Sequence, residues 1–148
     1  MKDRLIAGGL AGLAAGVTQN IYGVFVKGLG ITDRAFSDFA AVVVMHTIQP
    51  SLVAGIVGFI SHLIVGVMFG VIFAYIILLT SSRYFLLKGL GYGAVLWFLL
   101  MGFGTIFDLP LFSNIPPVPA LTTFIGALIY GFAVAYSLKL IDKNSSLL

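Results

Sequence analysis

The stretch 52–79, LVAGIVGFISHLIVGVMFGVIFAYIILL, carries no charged side chain and one histidine near its middle. As a helix it rises about 42 Å at 1.5 Å per residue, against a hydrocarbon core of about 30 Å. It is long enough to cross a bilayer with tilt or with a turn protruding. The rest of the chain is of the same kind: 148 residues, 60% hydrophobic and 9% charged, with a mean hydropathy of +1.14. A soluble domain carries about 25% charged residues and cannot bury this much apolar surface at this size. The bilayer is therefore the solvent, and residues 1–148 read as one all-α transmembrane domain.

Four segments reach the ~20 residues a span needs: about Leu5–Val26, Leu52–Leu79, Phe85–Phe107 and Leu121–Ile141. Lys88 lies one turn inside the third, close enough to the interface to snorkel. The start, Met1–Arg4 followed by an apolar run, resembles a signal peptide. No clean Ala-x-Ala site follows, and the run continues to Val26, so it is read as an uncleaved first helix. Lys2, Arg4, Arg83, Lys88, Lys139 and Lys143 fall at one side of the four spans, Lys27 and Arg34 at the other. The positive-inside rule then predicts both termini in the cytoplasm. The net charge of +3 comes from basic residues placed beside spans, which marks topology and not nucleic-acid binding. The absence of cysteine excludes disulfides, iron–sulfur clusters and thiolate metal sites.

Residues 31–50, ITDRAFSDFAAVVVMHTIQP, are too long for a bare loop and too short for a span. Thr32 or Asp33 is the expected helix cap, Ala40–Met45 the apolar part, and Gln49-Pro50 the stop. The segment reads as a short helix on the outer side. It either lies amphipathically at the headgroups or re-enters the bundle and lines a cavity. Asp108–Ala120, with four prolines in thirteen residues, is expected to be an extended, stiff cap.

Gly8, Gly12 and Gly23 match Gly89, Gly93 and Gly104 at a constant offset of 81, and Gly70, Ala74 and Tyr75 match Gly131, Ala135 and Tyr136 at an offset of 61. Either two tandem two-helix hairpins descend from one duplicated unit, or common residues coincide by chance. Duplicated hairpins would be parallel repeats about an axis along the membrane normal. Gly8, Gly12 and Gly16 share one helix face, as do Gly66, Gly70 and Ala74. Small residues at this spacing let backbones approach, so the first two spans should pack tightly within one protomer or across a homo-oligomer.

Thr18, Gln19 and Asn20 in the first span sit at a depth comparable to Ser61 and His62 in the second. Gln19, Asn20, Ser61 and His62 form the candidate mid-membrane polar site, with His62 bonded to Gln19 or Asn20. Its two readings are interhelical hydrogen bonding and a proton-responsive or substrate-binding site. The repeat puts Leu100, Met101, Thr122 and Thr123 at the equivalent places, so only one half keeps strong polar groups. Tyr84, Phe85, Trp97, Tyr130 and Tyr136 are either interfacial anchors or lipid-facing bulk, with Trp97, being mid-span, a packing residue. His46 and His62 have no metal-ligand spacing, and no acidic residue lies within a span. Asp33, Arg34, Asp38 and Asp108 share the outer face and are expected to pair with one another or with Lys27. There is no glutamate, no catalytic triad pattern and no phosphate-binding loop, so no catalytic residue, metal or cofactor is expected.

The His-Leu-x-x-Gly-x-x-x-Gly pattern of His62–Gly70, the following Phe-Ala-Tyr and the Thr-Ser-Ser-Arg-Tyr-x-Leu-Leu-Lys-Gly turn of residues 80–89 carry a resemblance. With Trp97 and the Ile-Tyr-Gly of residues 129–131, they are similar to the YqhR-like group of small four-span bacterial membrane proteins. The resemblance implies a shared fold in a bacterial inner membrane and supplies no activity. The expectation is a non-enzymatic accessory or lipid-interacting component whose partners are the bilayer and a second copy or another membrane protein. The alternative is a small-solute or ion transporter lined by Gln19, Asn20 and His62. A third is a haem-binding anchor using His62.

Overall fold

The computed structural model describes residues 3–80 and 83–143. Lys2 and the Ser81-Ser82 pair of the turn motif lie outside the described residues. Five helices follow in order: α1 (Arg4–Gly28), α2 (Phe36–Met45), α3 (Leu52–Thr80), α4 (Phe85–Ile106) and α5 (Pro117–Lys143), with no strand among the described residues. Four are long and apolar enough to span a membrane, and α2 is a shorter apolar helix. α1 starts where the Asp3 carboxylate accepts the Leu5 and Ile6 N–H groups. It stops where Gly30 adopts φ +72°, the left-handed turn that ends many helices. The four long helices alternate in direction, so α1 begins and α5 ends at one face of the bundle (the terminal face), while α2 lies at the other (the α2 face).

Two boundaries differ from expectation. α5 begins at Pro117, inside the stretch read as an extended cap. Pro117 and Pro119 occupy its first turn, where a missing N–H costs nothing because those donors have no intrahelical partner. Neither Thr32 nor Asp33 caps α2; the helix starts after Ala35, whose N–H is taken by the Asp38 carboxylate at 2.7 Å. The Thr32 hydroxyl is engaged with Arg34 backbone and Asp33 with the Arg34 side chain, so neither is free to cap.

α1 and α5 are central, with 44% of their spans buried against 28% in α3 and 22% in α4. α1 packs on both α3 and α5, α5 also packs on α4, and α3 barely touches α4. The α1–α3 contact is made by glycines. A Cβ on Gly8 would meet the Gly70 carbonyl oxygen and the Ala74 methyl, and one on Gly12 would meet the Gly66 carbonyl and the Gly70 Cα. α4 and α5 repeat the pattern. Gly89 faces the Gly131 carbonyl and the Ala135 methyl, and Gly93 faces the Ala127 carbonyl and the Gly131 Cα. The contacts correspond one for one at the offsets of 81 and 61 that relate the two halves of the sequence. Gly16 is looser, facing the Leu63 side chain. On the adjacent stripe of α1, Ala7, Ala11 and Ala15 are buried in a cluster that includes Tyr130, Val134 and Leu138 of α5. The glycine approach is thus intramolecular.

α2 leans on α3 at Gly58, where a Cβ would strike the Ser37 carbonyl and the Ala41 methyl. Its Phe39 and Val42 form a second core with Leu109 and Phe112 of the α4–α5 connection. Phe36 at its start reaches Gly126, nine residues into α5, and Ala35 reaches Gly23 of α1, five residues short of that helix's end. The start of the segment thus packs against α1 and α5 within the bundle.

Gly70→Ala and Gly131→Ala each drive a methyl into backbone across a helix pair, whereas Gly55→Ala meets nothing within 4 Å. Each of the first two should cost about 1–3 kcal/mol, and the third should be neutral or stabilising. Reversible unfolding in mixed micelles reads all three; a Gly70→Ala as stable as wild type contradicts this packing.

Candidate functional site

The close α1–α3 approach brings short polar side chains into register. His62 stands about 15 Å along α3 from Leu52, and Gln19 about 14 Å from the end of α1 at Gly28. Both are near the middle of their spans and buried. The His62 ring lies between the two amides of α1. Its Nε2 is 3.0 Å from Gln19 Oε1, and its Nδ1 is 2.7 Å from Asn20 Nδ2. Gln19 presents an acceptor to Nε2 and Asn20 an amide nitrogen to Nδ1, so both ring nitrogens are engaged by α1. The Phe36 ring tilts against the imidazole at 5.6 Å between centroids. Asn20 Oδ1 is buried without a hydrogen-bond partner among the described residues.

A cavity of about 50 Å³ adjoins the triad, walled by Gln19, Phe36, His62, Gly66, Trp97 and Tyr130 among others. All five helices contribute to it. The space takes one or a few waters and falls far below the ~300 Å³ of a small-molecule pocket. Gln19, whose oxygen meets His62, and His62 itself give the cavity its polar edge. Below the triad, phenols cross between helices: Tyr130 donates to the Gly66 carbonyl and Tyr92 to the Phe69 carbonyl, both at 2.7 Å. The Tyr92 bond, with Phe73 against Phe85 and Tyr92, spans the wide α3–α4 separation that backbone contact does not close.

Three of the four expected site residues come together. Ser61 does not; it is half-exposed on the neighbouring face of α3 and makes no bond to the triad. Thr18 bonds back to the Ala14 carbonyl of its own helix. The second half is more polar than it reads: Thr123, the repeat equivalent of His62, accepts the Trp97 indole N–H at 3.0 Å. Each half thus carries an interhelical polar bridge at one level. Tyr130 and Phe85 are buried, not interfacial. Phe36 and Tyr130 had no pattern to announce them, because their roles depend on α2 dipping inward and α5 facing α3. His46 ends α2 in a left-handed turn, about 15 Å along that helix from Phe36, and is exposed. No group of three or more metal-ligating side chains gathers among the described residues.

At the α2 face the charged residues pair as expected from their shared side. Lys27 meets Asp38 at 2.6 Å and Arg34 meets Asp33 at 2.7 Å. Arg34 also donates to the Leu111 carbonyl, tying α2 to the α4–α5 connection. Asp108 instead accepts from the Ser113 hydroxyl. Lys27, Asp33, Arg34 and Asp38 edge a larger cavity of about 530 Å³ between α2 and the start of α3.

Comparison with protein-family models, with curated proteins and with solved structures returns no match for this chain.

In a double-mutant cycle of Gln19→Leu and His62→Leu, each single change should destabilise the bundle by about 1–3 kcal/mol, because a buried polar partner is stranded. The pair should show a coupling of about 0.5–1.5 kcal/mol. Additive losses in steric-trap or denaturant unfolding would separate the two side chains energetically.

Proposed function

We propose that this chain is a non-enzymatic integral membrane protein of the bacterial inner membrane, with cytoplasmic termini, acting as a lipid-interacting accessory component. The observation that carries the reading is where the free surface lies. The interior is occupied by glycine contacts, small apolar side chains and one cavity of about 50 Å³. α3 and α4 meanwhile leave most of their span surface unburied, including Ile64, Met68, Ile72, Val95, Phe98 and Leu99. A protein with a filled centre and two long apolar outer helices works through what it touches in the membrane. Lipid, a second copy or another membrane protein are the partners that such a surface meets. The lack of any acidic side chain in the spans supports a non-enzymatic role. The YqhR-like resemblance is consistent with it.

Native mass spectrometry of protein gently extracted from its own membrane tests the reading. The expected spectrum holds a defined lipid or partner in fixed ratio. A bare homo-oligomer points instead to the second reading, transport of a small solute or proton past His62. That reading is favoured by one observation, the polar edge that Gln19 and His62 give the central cavity. Under it, His62→Ala abolishes flux in proteoliposomes or moves its pH dependence; under the accessory reading, wild type and His62→Ala are equally silent.

A further inference from the structure

The cavity of about 530 Å³ at the α2 face lies within the ~300–1,000 Å³ range of small-molecule sites. One wall carries Lys27, Asp33, Arg34 and Asp38. The rest of the lining is mostly apolar, with Val42, Met45, Ile48, Leu52 and Leu111, and also holds Thr47, Gln49 and Ser51. It sits where the spans end, the depth at which headgroups meet acyl chains. We propose that this chamber binds the headgroup of a zwitterionic phospholipid with a primary amine, phosphate at Lys27 and ammonium at Asp38 and Asp33, its first chain carbons along the apolar wall. The proposal rests on the lipid-interacting reading and names the lipid class.

The charge arrangement selects the zwitterion. Two cations and two anions leave no net charge, so a purely anionic headgroup meets carboxylates as often as it meets cations. Both exposed charges have unused capacity. Lys27 donates one of its three N–H groups to Asp38. Asp38 takes both Lys27 and the Ala35 N–H on Oδ2, and its Oδ1 has no partner among the described residues. The hydrogen-bonded Arg34 guanidinium holds the Asp33 carboxyl below the usual carboxylate range, so it stays ionised through neutral pH. Arg34 itself is spent on Asp33 and the Leu111 carbonyl and serves as a positioning residue. A primary ammonium donates hydrogen bonds to these carboxylate oxygens, whereas a trimethylammonium has no N–H to give.

Gly55 provides an independent handle. It lines the chamber, and a Cβ there meets nothing within 4 Å. No contact within 4 Å of a Cβ requires this glycine, so a large side chain at this lining position tests the chamber.

The full-length protein is reconstituted into nanodiscs made with phosphatidylethanolamine, phosphatidylcholine or phosphatidylglycerol, and retained lipid is counted by native mass spectrometry. One phosphatidylethanolamine should be retained, at least about tenfold over either other lipid. Gly55→Phe and Asp38→Asn should each reduce its retention at least about fivefold, with helix content and melting of Gly55→Phe unchanged. Phosphatidylethanolamine retention that survives both changes overturns the site. Equal retention of all three lipids overturns the headgroup assignment and leaves the lipid-interacting reading standing; no retained lipid in any disc removes both.

Discussion

Inside a bilayer, lipid tails are as apolar as leucine, so helices gain nothing by merely hiding hydrophobic side chains from one another. What remains is contact at the shortest range. In this protein that contact is backbone on backbone: Gly8 and Gly12 against Gly66 and Gly70, and Gly89 and Gly93 against Ala127 and Gly131. α1 takes this furthest. It carries a glycine stripe toward α3 and an alanine stripe toward α5 on neighbouring faces, which is why it sits in the middle of the bundle while the more hydrophobic α3 is pushed to the outside.

The polar centre depends on the same approach. Gln19 and Asn20 have short side chains, and they bracket His62 only because the α1 and α3 backbones touch a turn or two away. The two halves share their glycine contacts but not their mutual arrangement. If the repeat were obeyed throughout, the α1–α5 contact would have a counterpart between α3 and α4. Instead α1 and α5 are pressed together, and α3 and α4 are spanned by Tyr92, Phe73 and Phe85. That asymmetry leaves room for the central cavity and for Phe36 above it.

Most of the framework was legible in the sequence, because spans are set by length and hydropathy, and helix approach by glycine spacing. A bond from His62 to Gln19 or Asn20 was legible too, since depth along two antiparallel helices can be counted; that the ring takes both, one on each nitrogen, was not. The start of α5 was not: proline density argues against helix interiors, and only placement in a first turn makes Pro117 and Pro119 compatible with one. Ser61 was misjudged because depth alone ignores the 100° that separates adjacent residues around a helix. The Trp97–Thr123 bridge was invisible because neither residue alone signals a partner.

The order of the helices along the chain gives the triad a further meaning. α1 is made before α3 and is the least hydrophobic of the four spans, at 1.2 against 2.7. Until His62 arrives, Gln19 and Asn20 face a medium with no partners for them. In the finished bundle His62 meets both amides at matching depth, and so fixes which later helix α1 joins and at what height.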